Sequence, residues 1–501
     1  MESAIPSPIT PRERMAIIVI LILAAVLRLA LITDHGLKNN DFISIRSATQ
    51  LGWWGMIEER TERNHMPLYF LTLKSWLTVA GTSEASLRLP SVAFGLAGVA
   101  LLWWVGRMLF GPAVGLLAAL LALGGQQWLE TGFDVRMYSM LMALALLAIG
   151  CAWRWFETGE RRWAWAHAIT LIVGLHVHLL MLTVPLSLLG AWWFSWRRSD
   201  ERRPAAVIAV LLAPALAILP MLIWWSLVQY KIGHAEWSFR TPGILHRSLL
   251  KIAFGDYDNM PSGTWTDVMK AVGYPTLALS AVALLGWRLR GCWQGEPLDD
   301  RRRRALTVLL WVLLMPLLLV YVASFKSGGM KSVRYVSVAC AVTPLLLAAA
   351  WWGLRWRWMR VLGLALVVTA VTMNSLLFFN SEGDGIRESM VYLREETEPG
   401  HVAITCAATN TWEAFGFYGV EMPVTHLSRE LDDPGQIREI AARALGDEGT
   451  RIYLYLFHPD NDEARDTLHR ETPWLERVDR LRFGESQVWV FERVDPQRDP
   501  S

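Results

Sequence analysis

The sequence predicts a mainly α-helical, polytopic membrane bundle of about eleven spans with a large first external loop, followed by a small C-terminal α/β soluble domain. Three observations carry this. Hydrophobic residues make up 53% of the 501 residues, and 27 are Trp. Several apolar runs reach the roughly 20 residues that a helix needs to cross a hydrocarbon core. The runs stop after Asn380, where short helical and strand-like patterns alternate. The expected domains are therefore 1–380 in the membrane and 381–501 outside it.

The spans are expected near residues 15–33, 91–109, 112–129, 136–156, 163–180, 182–196, 205–228, 268–287, 305–324, 335–352 and 361–379. The first is a span and not a signal peptide, because Met15 to Ile32 exceeds the usual apolar core and no small-residue cleavage site follows. Between the first two spans lies the long segment Asp34 to Pro90. Its recurring Trp, Tyr, Leu and Phe argue against disorder, so it reads as a folded cap at the membrane surface.

Charge sets the orientation. The net charge of +2 hides a segregation of Arg into alternate connections: Arg12 and Arg14, Arg107, Arg154 with Arg161 and Arg162, Arg197 to Arg203, Arg288 to Arg304, and Arg355 to Arg360. By the positive-inside rule that side is cytoplasmic, which places the 34–90 cap, the segment Gln229 to Asp267, the loop Ser324 to Arg334 and the tail outside. Cys151, Cys292, Cys340 and Cys406 show no paired spacing and indicate neither a disulfide framework nor a thiolate zinc site.

In the tail, Ile386 to Glu396 has helical spacing and His401 to Thr405 reads as a buried strand. A helical stretch near Trp412 to Tyr418, a strand at Pro423 to Leu427 and a helix from Asp433 to Leu445 follow. Strand-like runs at Arg451 to Phe457, Val478 to Phe483 and Gln487 to Phe491 complete it. No glycine-rich phosphate loop follows any strand, and nothing indicates nucleic acid as a partner.

Ionisable groups at span ends are functional suspects. Asp41 is either a surface carboxylate capping a helix that begins at Phe42 or a reactive group. Glu130, Asp134 and Arg136 either end a hydrophobic segment as an interfacial ion pair or serve a site. His176 and His178 are a solvated pair or two metal ligands lacking a third. Lys326, Lys331 and Arg334 form an external basic cluster, suited to a phosphate or to an anionic lipid headgroup. Trp53, Trp54, Trp103, Trp104, Trp224, Trp225 and Trp237 suit the membrane interface, with an isoprenoid groove as the alternative use.

Taken together, Asn40-Asp41, His65-Met66-Pro67-Leu68-Tyr69, Leu87-Arg88-Leu89-Pro90-Ser91, Phe110-Gly111, Val114-Gly115-Leu116-Leu117-Ala118, Asp134-Val135-Arg136-Met137-Tyr138 and Arg334-Tyr335 with Pro344 resemble the bacterial protein O-mannosyltransferase and aminoarabinose transferase group of polytopic glycosyltransferases. The resemblance covers nearly the whole membrane part in order. It implies transfer of a sugar from a polyprenyl-phosphate donor to an envelope glycan, lipid or protein acceptor at the outer face of a bacterial inner membrane. It further implies Asp41 as the base, Arg136, Lys331, Arg334 and Tyr335 on the donor phosphate, and Asp134, Tyr138 and His65 behind them or facing the acceptor. A divalent metal is an open possibility and no cofactor is called for. Phe42 stands where the family usually has a second acid, and Asp134 where it more often has Glu. The alternatives are a non-catalytic scaffold of this fold and a lipid or glycan transporter; a transporter would show repeated halves, and no internal repeat is present.

Overall fold

The computed structural model describes residues 8–30, 32–34, 36–63, 65–197, 202–232, 276, 279–280, 300–327, 333–354, 356–379, 384–405, 412–426, 434–446, 449–457, 470 and 472–494. Lys331, Trp237, Cys292, Cys406 and most of the segments 229–267 and 268–287 lie outside them. The chain forms two compact units, Met1–Ala30 with Leu51–Asn380, and Leu31–Gln50 with Ser381–Ser501. The beginning of the expected cap therefore groups with the tail.

The first unit is helical. Its α1, Pro11–Ala30, starts on a Thr10 cap, with Glu13 N–H donating to Thr10 Oγ1 at 3.2 Å. The rest of the cap folds as α3, Trp53–Glu62, and α4, Leu68–Ala80. Next comes α5, Glu84–Phe110, which starts seven residues before the expected span because Ser83 caps it and Pro90 does not break it. Pro90 cannot donate to the Ser86 carbonyl, and the Trp76 indole N–H of α4 donates there instead at 2.9 Å.

Gly111, at φ 103°, ends α5, and Pro112 opens α6, Pro112–Gly124. The close crossing of these two helices depends on Gly115, where a Cβ would stand 2.5 Å from the Trp103 carbonyl oxygen. The expected single span 112–129 is bent by 62° between α6 and α7, Gln126–Phe133. The bend falls at Gly124-Gly125, where no side chain packs to keep the helix straight.

Further along are α8 (Tyr138–Thr158), α9 (Arg161–Val177), α10 (Thr183–Ser195), α11 (Pro204–Leu212) and α12 (Leu219–Ile232), then helices Asp300–Ser327, Ser337–Trp352 and Arg357–Phe379. Among the described residues, four helical stretches are long and apolar enough to cross a membrane, Glu84–Phe110, Tyr138–Thr158, Pro204–Trp224 and Arg334–Trp352, with the bent α6–α7 pair as a fifth.

The Arg-rich connections gather at one end of this unit. Glu13 Oε1 accepts from Arg107 Nε at 2.7 Å and from Trp103 Nε1 at 3.2 Å, tying the start of α1 to the end of α5. Arg301 Nε donates to Glu157 Oε1 at 2.6 Å, and Arg202 Nη2 donates to the Trp155 carbonyl at 3.1 Å. Trp103 belongs to this end, and Trp104 packs beside it against Trp163 and Gly150.

The second unit holds a five-stranded sheet in the order β2-β1-β3-β5-β4, where β1 is His401–Thr405, β2 Val424–His426, β3 Arg451–Phe457, β4 Leu475–Phe483 and β5 Ser486–Arg493. β1 runs parallel to β2 and β3, and β5 is antiparallel to β3 and β4. Val402, Ile404, Ile452, Leu454, Trp489 and Phe491 form its core with Ala441 and Leu445 of the helix Pro434–Leu445. β4 is longer than expected and exposes Arg477, Asp479 and Val478 at the sheet edge, where charge blocks edge pairing. Against this domain lies α2, Asn39–Thr49.

Candidate active site

The site end of the helical unit is built from backbone outward. Ser91, fully buried in α5, donates its hydroxyl to the Asp134 carbonyl at 2.6 Å and lies 3.4 Å from both the Arg136 carbonyl and the Tyr69 hydroxyl. Three segments that the sequence singled out, around Tyr69, Ser91 and Asp134–Arg136, thus meet at one hydroxyl. That contact fixes the extended turn between α7 and α8 and so aims the Arg136 side chain, which is 5% exposed. Arg28, fully buried in α1, holds α7 from behind by donating to the Trp128 carbonyl at 3.3 Å. Gly95 and Gly132 leave room for its side chain.

Around that turn the described residues collect positive charge. The partly buried His65 imidazole, between α3 and α4, is pushed down to about 2, first by burial and then by Arg136, Arg60, His178 and Arg334. It is therefore neutral at physiological pH. Arg60 of α3 is fully buried and lies 5.2 Å above the Phe70 ring. Its Nη2 stands 2.9 Å from Glu59 Oε2, while Nε and Nη1 have no hydrogen-bond partner among the described residues. Burial lowers the Arg60 guanidinium to about 10, opposed in part by Glu59, and it stays charged at neutral pH. The Tyr138 and His178 rings stand 5.9 Å apart, and Tyr138 is within electrostatic reach of Arg136, Arg334, Tyr335 and Asp134. Arg334 sits in the 3-10 turn Val333–Val336, its carbonyl accepting from Ser337 Oγ at 2.5 Å. Three guanidiniums, Arg60, Arg136 and Arg334, against the carboxylates of Glu59 and Asp134 leave a surplus of positive charge, which is the electrostatics of an anion site, and the neutral imidazoles add hydrogen-bonding groups to it.

Most sequence-predicted residues of this unit come together here: His65, Asp134, Arg136, Tyr138, Arg334 and Tyr335. The two histidines expected as a pair diverge. His176 Nδ1 lies 2.9 Å from the Ile172 carbonyl of its own helix, whereas His178 accepts from Leu180 N–H at 3.0 Å and joins the site. Arg60 was missed, because Glu58-Glu59-Arg60-Thr61-Glu62-Arg63 reads as a solvated charge run. The signal is the four-residue spacing from Met56, which places both side chains on the buried face of α3.

Asp41 belongs to the other unit. It is 1% exposed and is the third residue of α2, not a surface cap before it. Its carboxylate accepts from the Lys38 N–H at 3.0 Å, so the helix-capping part of the expectation survives in reversed form. Phe42, fully buried, packs edge-on against Phe417 and Tyr418 at 6.0 and 6.2 Å. Among the described residues no three His, Cys, Asp or Glu side chains come together as a metal site requires.

Comparison with known proteins follows the same lines. Residues 64–224 match the family model described as dolichyl-phosphate-mannose-protein mannosyltransferase. The fold resembles that of ArnT from Cupriavidus metallidurans bound to undecaprenyl phosphate, at 13% identity and a TM-score of 0.52 over 97% of this chain and 99% of that one. It also resembles that of the archaeal oligosaccharyltransferase AglB from Archaeoglobus fulgidus in complex with an inhibitory peptide and a dolichol-phosphate, at 11% identity and a TM-score of 0.52 over 98% and 75% of the two chains. No curated protein sequence matches the chain.

Proposed function

We propose that this chain, which has the fold of the C-type polytopic glycosyltransferases, transfers a sugar from a polyprenyl-phosphate carrier to an acceptor at the outer face of a bacterial inner membrane. The observation that carries the reading is the cluster of Arg60, Arg136 and Arg334 around His65, at the end of the bundle away from the Arg-rich connections. A lipid phosphate presents an anion at the membrane surface, where such a cluster binds it by charge-assisted hydrogen bonds. ArnT and AglB, the similar folds, carry undecaprenyl phosphate and dolichol-phosphate in the structures named above.

In the proposed reaction Asp41 takes the proton of the acceptor hydroxyl as that oxygen attacks the anomeric carbon. A carboxylate is the type of group that can take this proton as the new bond forms. The bond from the anomeric carbon to the phosphate oxygen breaks, and its electrons stay on the lipid phosphate. Arg60, Arg136 and Arg334, with Lys331 and Tyr335, stabilise the charge that develops there. Tyr138, His65 and Asp134 hold those groups in place. One displacement inverts the anomeric configuration, and no step is routed through a metal. The Arg-rich end faces the cytoplasm in this reading, and the C-terminal domain lies outside.

The test is transfer by the purified full chain in detergent from a panel of radiolabelled polyprenyl-phosphate pentoses and hexoses, with chelator in half the samples. Transfer, or slow release of sugar without acceptor, names the donor class. No turnover from folded protein across the panel would overturn the reading.

A further inference from the structure

The C-terminal domain grips α2 at its beginning, middle and end. Asn39 N–H donates to Asp384 Oδ2 at 3.1 Å, and Arg387 Nη1 donates to the Thr33 carbonyl at 2.9 Å just ahead of the helix. In the middle, Phe42 packs edge-on against both Phe417 and Tyr418, which themselves stand edge to face at 5.0 Å, so the three rings form one cluster. At the far end Gln50 Nε2 donates to Glu413 Oε2 at 2.9 Å, and Arg46 Nε lies 3.4 Å from Glu413 Oε1. An eleven-residue helix is marginal in isolation, so its order comes from these contacts. Asp41 is the residue next to Phe42.

We propose that the C-terminal domain is the positioning element of the reaction: it holds α2, and with it Asp41, through an aromatic clamp in which Phe417 and Tyr418 pack against Phe42. The inference rests on Asp41 being the base. Phe42 is then a positioning residue that acts by packing. A carboxylate there would meet two ring edges and a buried helix face instead of water. The clamp is assembled from residues at opposite ends of the chain, so the tail and the first loop must be in register before the base is in register.

The test uses the full chain with Phe417→Ala, Phe417→Tyr and the exposed control Val478→Ser, measuring kcat, the Kd for undecaprenyl phosphate, and deuterium exchange of the α2 amides. Phe417→Ala is expected to lower kcat at least tenfold with an unchanged Kd and to speed exchange across Ile43–Ala48. Phe417→Tyr, which keeps the ring, and Val478→Ser are expected to match wild type in all three. Unchanged exchange and kcat in Phe417→Ala would overturn the clamp, as would faster exchange with undiminished kcat. A wild type inactive with every donor would sink the glycosyltransferase reading instead; unchanged exchange in Phe417→Ala would then still refute the clamp on its own.

Discussion

Replacing Arg60 with Met separates a ligand-binding cation from a structural one. The side chain is fully buried and in ion-pair contact with Glu59 alone among the described residues. Nε and Nη1 have no partner, and Met keeps the length of the side chain while removing the charge. If Arg60 were there for stability, losing a buried cation would cost about 3–5 kcal/mol, the usual result of breaking a buried pair. Glu59, however, also has Arg63 at 3.5 Å, and an incompletely paired buried guanidinium is itself costly. The ligand-free variant is therefore expected to be as stable as wild type or more so, by up to about 2 kcal/mol.

Binding should move the other way. A hydrogen bond to a charged group is worth about 1.5–3 kcal/mol, so the loss of one bond to phosphate weakens the Kd for undecaprenyl phosphate about ten- to hundredfold. Thermal unfolding and a titration of the carrier into detergent-solubilised protein read both quantities. A variant that unfolds several degrees earlier yet binds the carrier normally would refute the assignment.

Other perturbations are equally specific. Ser91→Ala removes the hydroxyl that holds the Asp134–Arg136 turn, and is expected to cost about 1–3 kcal/mol in denaturant unfolding and to lower kcat/KM; a full-activity, full-stability variant would show that the turn holds itself. His65 protonates near 6.5 when unfolded and only near 2 when folded, so its contribution to stability is present above pH 6.5 and lost as pH falls, at no more than about 1.4 kcal/mol per pH unit. The His65→Gln protein should lose less stability than wild type between pH 6.5 and 4.5, and superimposable unfolding curves would contradict this. Phe42→Glu is expected to lower both stability and kcat because it buries a carboxylate against Phe417 and Tyr418; a more active variant would contradict the packing role.

The sequence made the fold class readable through its apolar runs, and the residues of the anion cluster through their place at span ends. Arg136 and Arg334 were legible because ionisable groups beside hydrophobic segments are costly, whereas His65 and Tyr138 were legible only through the motifs that carry the family resemblance. Arg60 was not, since neighbouring acids make a buried guanidinium look solvated. The bend at Gly125 had a local signal, Gly124-Gly125-Gln126-Gln127, which a hydropathy reading of 112–129 as one span passed over because hydropathy carries no information about direction. The partner of Phe42 was beyond reach for a different reason. Its contacts are with residues more than 370 positions away, and nothing local to Asn40-Asp41-Phe42 signals a tertiary aromatic pocket.

The most direct measurement compares wild type with Asp41→Asn in transfer from the donor that the panel identifies, alongside carrier binding by both. The expected result is loss of transfer by at least a factor of a thousand with the Kd for undecaprenyl phosphate unchanged. The anion cluster is then intact and only proton removal is lost. Undiminished turnover in Asp41→Asn would remove Asp41 from the mechanism and with it the proposed base.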